Sequence, residues 1–307
     1  MTARRSRVWA ALAIVYVVWG STYLAIKIAL RSVSPFMLGA SRFAVAGAVV
    51  GGIGLALARR SGERVAWREE WRGALLPGFL LFAMGNGSIA WAQVRLDSGV
   101  TALVVCGVPL WLALFDRLLY GRRLSGAAGC GIVLGFVGAA VLVGPGGGGH
   151  VAARGVRGVS AGAGCWALGS LRSRQAAASA GTNPLLASGV QMAWGALFLV
   201  GFATANGEPW QAGAPGWEAV GGIAYLVLVG TLVGFTLYAW LLRNAPTPLV
   251  STYAFANPVV AVLLGWGIEH EPLGPRTLAA AALIVGAVGL IVLAQARESR
   301  AAATLGA

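Results

Sequence analysis

The chain is poor in charge, and poorest in lysine and acids. Of 307 residues, 10 are Asp or Glu and 23 are Lys or Arg, and Lys27 is the only lysine. Charged residues make up 11% of the sequence, against about 25% in an ordinary soluble domain. So few charges cannot cover a water-facing surface, which excludes a soluble globular protein. Cysteine is scarce too. Cys106, Cys130 and Cys165 lie inside apolar runs, at spacings that match neither a metal site nor a disulfide framework. They read as small membrane-embedded hydrophobes. Walker A and HExxH strings are missing, so neither ATP drive nor zinc hydrolysis has its usual signature. The two histidines, His150 and His270, lie near loops. No nucleophile–base constellation suggests an enzyme, and no metal or cofactor is expected.

What is present is apolar. Hydrophobic residues make up 58% of the chain, with mean hydropathy +0.76. A helix needs roughly 20 apolar residues to cross a hydrocarbon core. Ten segments meet or approach this: 8–30, 35–58, 73–93, 98–119, 125–144, 156–173, 184–204, 219–242, 248–268 and 276–295. The sixth is the weakest, being mostly Gly, Ala and Ser. The first run is too long for a signal-peptide core and is expected to stay in the mature protein.

Arginine sets the orientation. With the N-terminus inside, sixteen arginines fall on cytoplasmic segments and five on outer ones. That bias predicts both termini in the cytoplasm and an even number of spans. It also explains the net charge of +13 without nucleic acid, since the arginines form no contiguous basic stripe. Trp9, Trp67, Trp71, Trp210, Trp217 and Trp266 sit near span ends, as an interfacial aromatic belt requires.

The two halves resemble each other at an offset of about 149. Gly85 matches Gly234, Ala90-Trp91 matches Ala239-Trp240, and Pro109 matches Pro258. Each half, 1–147 and 148–307, holds five spans. An odd number forces the second half to insert in the opposite sense, giving an inverted repeat of the kind used for alternating access. The glycine-rich stretch 145–150 is the expected link. Gly47/Gly51, Gly131/Gly135, Gly158/Gly162 and Gly230/Gly234 have the spacing of close helix packing.

WGSTYLAIKIAL in the first segment, SRF at 41–43, the run from Asn86 to Pro109, and NPVVAVLLGWGIEHEPLGPRTLAAAALIVGAVGLIVL near the end resemble the EamA family of the drug/metabolite transporter superfamily. The resemblance covers nearly the whole chain. It implies an all-α membrane protein of ten transmembrane helices in two inverted five-helix repeats around a central cavity. It also implies export of metabolites, often amino acids or amphipathic compounds.

Several residues are candidates for substrate contact. Trp19, Tyr23 and Lys27 recur every four positions, so they share one helix face. Two readings of Lys27 stay open: it faces a cavity and attracts a carboxylate, or it snorkels to headgroups. Arg42 lies at similar depth, where it meets either helix-end carbonyls or an anion. Asn86 and Gln93 share a face of the third span, Trp166 and Ser170 of the sixth, Gln191 and Trp194 of the seventh, and Tyr253 and Asn257 of the ninth. Each either glues helices or lines a cavity. The expected substrate-binding set is Trp19, Tyr23, Lys27, Asn86, Trp166, Gln191, Tyr253 and Asn257. Pro109 and Pro258 kink their helices statically or act as matched hinges.

The function expected is therefore secondary transport at a bacterial inner membrane by a monomer, with a dimer as the alternative. Export of amino acids or related small amphipathic metabolites leads. An organic-anion or nucleotide-sugar carrier using Lys27 and Arg42 is the alternative. No Asp or Glu lies deep in a span, so a carboxylate proton relay is not evident.

Overall fold

A computed structural model describes residues 2–121, 126–143, 149–180, 183–209, 216–245, 250 and 252–305. Among them there are helices and no strands. Lipid offers backbone groups no hydrogen bonds, so apolar runs close their own as helices. The first two segments form α1 (Thr2–Ala29) and α2 (Pro35–Arg60). Pro35 opens α2 at a position where its missing N–H costs nothing. The third begins at Trp67, six residues earlier than its apolar run, because the polar turn WREE continues the helix. It comprises α3 (Trp67–Gly78), a π-helical stretch Phe79–Asn86, and α4 (Gly87–Gln93). The fourth is α5 (Ser98–Val105) and α6 (Val108–Tyr120), and the fifth is α7 (Gly126–Val143). Then come α8 (Gly149–Ala180) and α9 (Pro184–Ala205). The eighth segment is α10 (Trp217–Tyr225), a second π-helical stretch Leu226–Val233, and α11 (Gly234–Asn244). The last two are α12 (Tyr253–Glu269) and α13 (Pro275–Leu305).

Among the described residues, seven helical stretches are long and apolar enough to span a membrane unaided: Ser6–Ala29, Pro35–Arg60, Trp67–Gln93, Ser98–Leu119, Pro184–Ala205, Trp217–Tyr238 and Pro275–Ala294. Gly129–Val141 and Ala256–Glu269 are shorter apolar helices. The sixth expected segment lies within the long helix α8, whose arginines, glycines and serines dilute its apolar character. The expected boundary at 147/148 and most of the 145–150 link lie outside the described residues, as does Trp210. Trp9, Trp67, Trp71, Trp217 and Trp266 are exposed.

The chain packs as two units that cut across the sequence halves. The first comprises Met1–Leu24, Arg95–Ser160 and Val233–Ala307. Within it α7 lies antiparallel to α13: Gly131 faces Ile291, while Gly138 faces Ile284. Likewise α5 runs antiparallel to α12, with Gly99 against Val262 near one end and Cys106 against Ala254 near the other. The helix α12 stops where His270 turns left-handed, at φ 55°. That turn brings back Glu271, whose carboxylate accepts from Ser98 N (2.6 Å), Ser98 Oγ (3.0 Å) and Gly99 N (3.1 Å). The first amides of α5 are thus satisfied by a residue 173 positions away.

The second unit comprises Ala25–Val94 and Ala161–Leu232. Here α2 runs antiparallel to α9, pairing Gly39 with Leu199, Gly47 with Met192 and Gly54 with Leu186. Side chains at these glycines would collide with the partner helix, which is why small residues recur there. Glu208, just beyond α9, accepts from Phe36 N (3.1 Å) and Met37 N (3.4 Å). Each unit therefore has a carboxylate, supplied after one helix, on the N-terminal amides of its antiparallel neighbour. The ion pair Arg31–Glu218 spans 3.7 Å between an exposed and a partly exposed group and adds at most about 1 kcal/mol.

Candidate functional site

In the first unit three half-buried aromatic rings meet. Trp19 lies 5.1 Å from Tyr238, centroid to centroid, and 4.9 Å from Tyr253, edge-on at 81°. Tyr238 and Tyr253 are 5.6 Å apart at 83°. Gly234 makes room for this cluster, since a Cβ there would overlap the indole N–H of Trp19. Gly20 makes room for α12, because its Cβ would stand 2.6 Å from Val260 Cβ. Tyr16 OH is hydrogen-bonded to Thr252 Oγ1 alongside. Of the expected residues, Trp19 and Tyr253 are brought together, Tyr23 is half-buried, and Asn257 lies one turn beyond Tyr253. The Asn257 Oδ1 is buried with no hydrogen-bond partner among the described residues. Tyr238 was not anticipated. Its signal was available, since Gly234 and Tyr238 are four apart and share a face.

Both prolines act on the backbone of this unit. A proline removes the bond to the carbonyl four residues earlier. Pro109 does so at Val105, where α5 ends. Pro258 does so at Ala254, and that carbonyl accepts the Cys106 thiol at 3.0 Å.

The second unit collects amides, aromatics and Lys27. The Lys27 ammonium donates to the main-chain oxygen of Gln93 at 3.0 Å. Gln93 is the last residue of α4, so a cation sits at the negative end of a helix. The Gln93 side chain is 1% exposed, and neither end of its amide has a hydrogen-bond partner among the described residues. Asn86 Nδ2 donates to Leu81 O at 3.1 Å, five residues back, inside the first π-helical stretch. Thr231 Oγ1 donates to Leu226 O at 3.0 Å in the second, again five back. Trp166 packs against Phe82, 6.4 Å away at 68°, in space left by Gly85. Gln191 is buried and its Nε2 donates to Ser173 Oγ at 3.1 Å. Arg42 stacks 5.1 Å over the Phe43 ring, and Trp194 Nε1 donates to Trp71 O at 2.9 Å.

These groups are aromatic rings and side-chain amides, and the amides of Asn86 and Gln191 are bonded within the unit. Among the described residues, no cluster of three His, Cys, Asp or Glu is placed to hold a metal. Gly158-Val-Ser160-Ala-Gly162 has the spacing of a hydrolase nucleophile elbow, but it lies within α8, without the strand-to-helix turn that chemistry requires.

The profile of the EamA-like transporter family matches the chain twice, over residues 7–144 and 154–293. The chain is 32% identical to the inner membrane transporter YedA of Escherichia coli K12 over 286 residues, covering 92% of this chain and 90% of YedA. It is 27% identical to the transporter YvbV of Bacillus subtilis 168, covering 91% of this chain and 90% of YvbV. One solved crystal structure superposes with a TM-score of 0.61 at 23% identity, covering 95% of this chain and 99% of the other. At that identity the likeness speaks for the fold alone. The chain belongs to the EamA-like transporter family and is a multi-pass membrane transporter.

Proposed function

We propose that this protein exports amino acids or related small amphipathic metabolites across the bacterial inner membrane by alternating access. In this reading ten helices form two inverted five-helix repeats, with both termini cytoplasmic, and the monomer is the working unit. Three antiparallel pairs support it: α2 with α9, α5 with α12, and α7 with α13, each joining one segment to the segment five later. The matched π-helical stretches add to this, since such stretches occur frequently at functional sites.

The observation that carries the substrate reading is the half-buried cluster Trp19–Tyr238–Tyr253. Its open faces suit an apolar or aromatic side chain. Within the second unit, taken by itself, the Phe82–Trp166 pair and the Gln191 amide are proposed contacts. Tyr23, Asn86 and Asn257 complete the contact set, and Pro109 and Pro258 serve as hinges. The organic-anion reading is weaker, because Lys27 already bonds a helix-end carbonyl. Counterflow into proteoliposomes against a panel of amino acids tests the proposal. Flux equal to that of empty liposomes for every solute overturns it.

A further inference from the structure

A groove on the second unit has no part in the transport reading. It runs between α2 and α9, holds about 660 Å³, and its lining is almost wholly apolar. Small side chains create it. Ala44, Ala48 and Gly52 recur every four residues on the exposed face of α2. Gly189 on α9 lets the backbones meet, since a Cβ there would overlap Gly51. The lining residues of α2 run from Met37 to Leu55, a rise of about 27 Å, close to the roughly 30 Å of a hydrocarbon core. The groove thus crosses the depth at which acyl chains lie.

One end of the groove is different in chemistry. Trp67 and Trp71 line it there. Arg59, Arg60, Arg64, Arg68 and Arg72 surround them in sequence and are all exposed. Glu63 and Glu69 are exposed in the same segment and Glu70 is buried, yet among the described residues none of these acids forms an ion pair with the five arginines. These guanidiniums are therefore available to phosphate oxygens, which they hold in two-point contacts. Four to eight basic residues beside a membrane helix mark anionic-lipid binding.

We propose that the α2–α9 groove seats an acyl chain of an anionic phospholipid, with the headgroup phosphate held by Arg68 and Arg72. A second copy of the chain is the competing occupant, because a stripe of small residues also suits helix packing. Charge argues against it. A second copy inserts in the same orientation, so the two arginine clusters would face each other at one depth.

Native mass spectrometry of the full chain, titrated with dioleoyl phosphatidylglycerol or dioleoyl phosphatidylcholine, tests this. The expected result is tighter retention of phosphatidylglycerol. Arg68→Gln with Arg72→Gln should weaken that retention about thirtyfold, two charges near an anionic surface being worth that order, and leave phosphatidylcholine unchanged. Ala48→Leu fills the groove and should release both lipids. Gly52→Ala, a milder change, should weaken both partially, with thermal melting showing that each variant folds. Equal affinity for the two lipids overturns the proposal. So does a dimer that Ala48→Leu dissociates while lipid retention stays as in the parent.

Discussion

The Cys106 thiol donates to the carbonyl of Ala254, the acceptor that Pro258 leaves without a helical partner. The thiol is in place because Pro109 breaks its own helix after Val105, exposing Cys106 to α12. Two prolines that the sequence repeat aligns are therefore joined by one hydrogen bond, and each explains half of it. Cys106→Val keeps the shape and removes the donor, leaving a buried carbonyl unpaired. That should cost about 1 kcal/mol, read as a lower melting temperature in detergent. Cys106→Ser should restore it. Adding Pro258→Ala to Cys106→Val returns an N–H to the Ala254 carbonyl, so the pair should be non-additive. Additive losses would mean that the thiol is only filling space.

The two carboxylate caps should differ in weight. Glu271 is 8% exposed and accepts three hydrogen bonds, whereas Glu208 is half-exposed and accepts two longer ones. Charge-assisted bonds to buried amides contribute about 1.5–3 kcal/mol in all. Glu271→Ala should therefore destabilise by about that amount, and Glu208→Ala by under about 1 kcal/mol. Thermal unfolding of both variants checks the order. A larger loss at Glu208 would contradict it.

Gly234 is where the aromatic cluster is most easily damaged without touching a ring. A Cβ there overlaps the Trp19 indole, so Gly234→Val should push Trp19 from Tyr238 and Tyr253 while α11 stays helical. Trp19→Ala removes the same ring. Both should cut counterflow of an apolar amino acid about tenfold, since aromatic contacts are worth about 0.5–1.5 kcal/mol beyond burial. Melting temperature should fall less than flux. Wild-type flux in either variant would remove the cluster from the substrate path.

The membrane class and the helical segments were legible because lipid imposes one rule on every span, and composition carries that rule. Trp19 and Tyr253 were legible as candidates because a polar or aromatic side chain in a span stands out. The caps were not, because Glu271 and Ser98 lie 173 residues apart and no local pattern links them. The π-helical stretches were equally hidden. FLLFAMGN and LVLVGTLV are ordinary apolar strings, and the widened turn depends on the packing around them. Spacing alone left Asn86 and Gln191 as either helix glue or cavity lining. The Gln191–Ser173 bond joins two different helices, which spacing within one span does not report, whereas the Asn86–Leu81 bond is local and follows from the widened turn of its own helix.

Lys27 provides the sharpest division between a structural and a substrate role. Its ammonium bonds the last carbonyl of α4, which a helix dipole makes a favourable seat for positive charge. If that is its task, Lys27→Met should lower stability by about 1–2 kcal/mol and reduce transport of neutral and anionic solutes alike. Lys27→Arg keeps the charge but changes the reach, and should recover part of both. If the ammonium instead recruits substrate carboxylates, Lys27→Met should leave the melting temperature unchanged and abolish flux of anionic solutes alone. Measuring melting and counterflow on the same preparations separates the two. The bond to Gln93 predicts the first pattern, because a cation already paired with a backbone oxygen must break that contact before it can hold a passing anion.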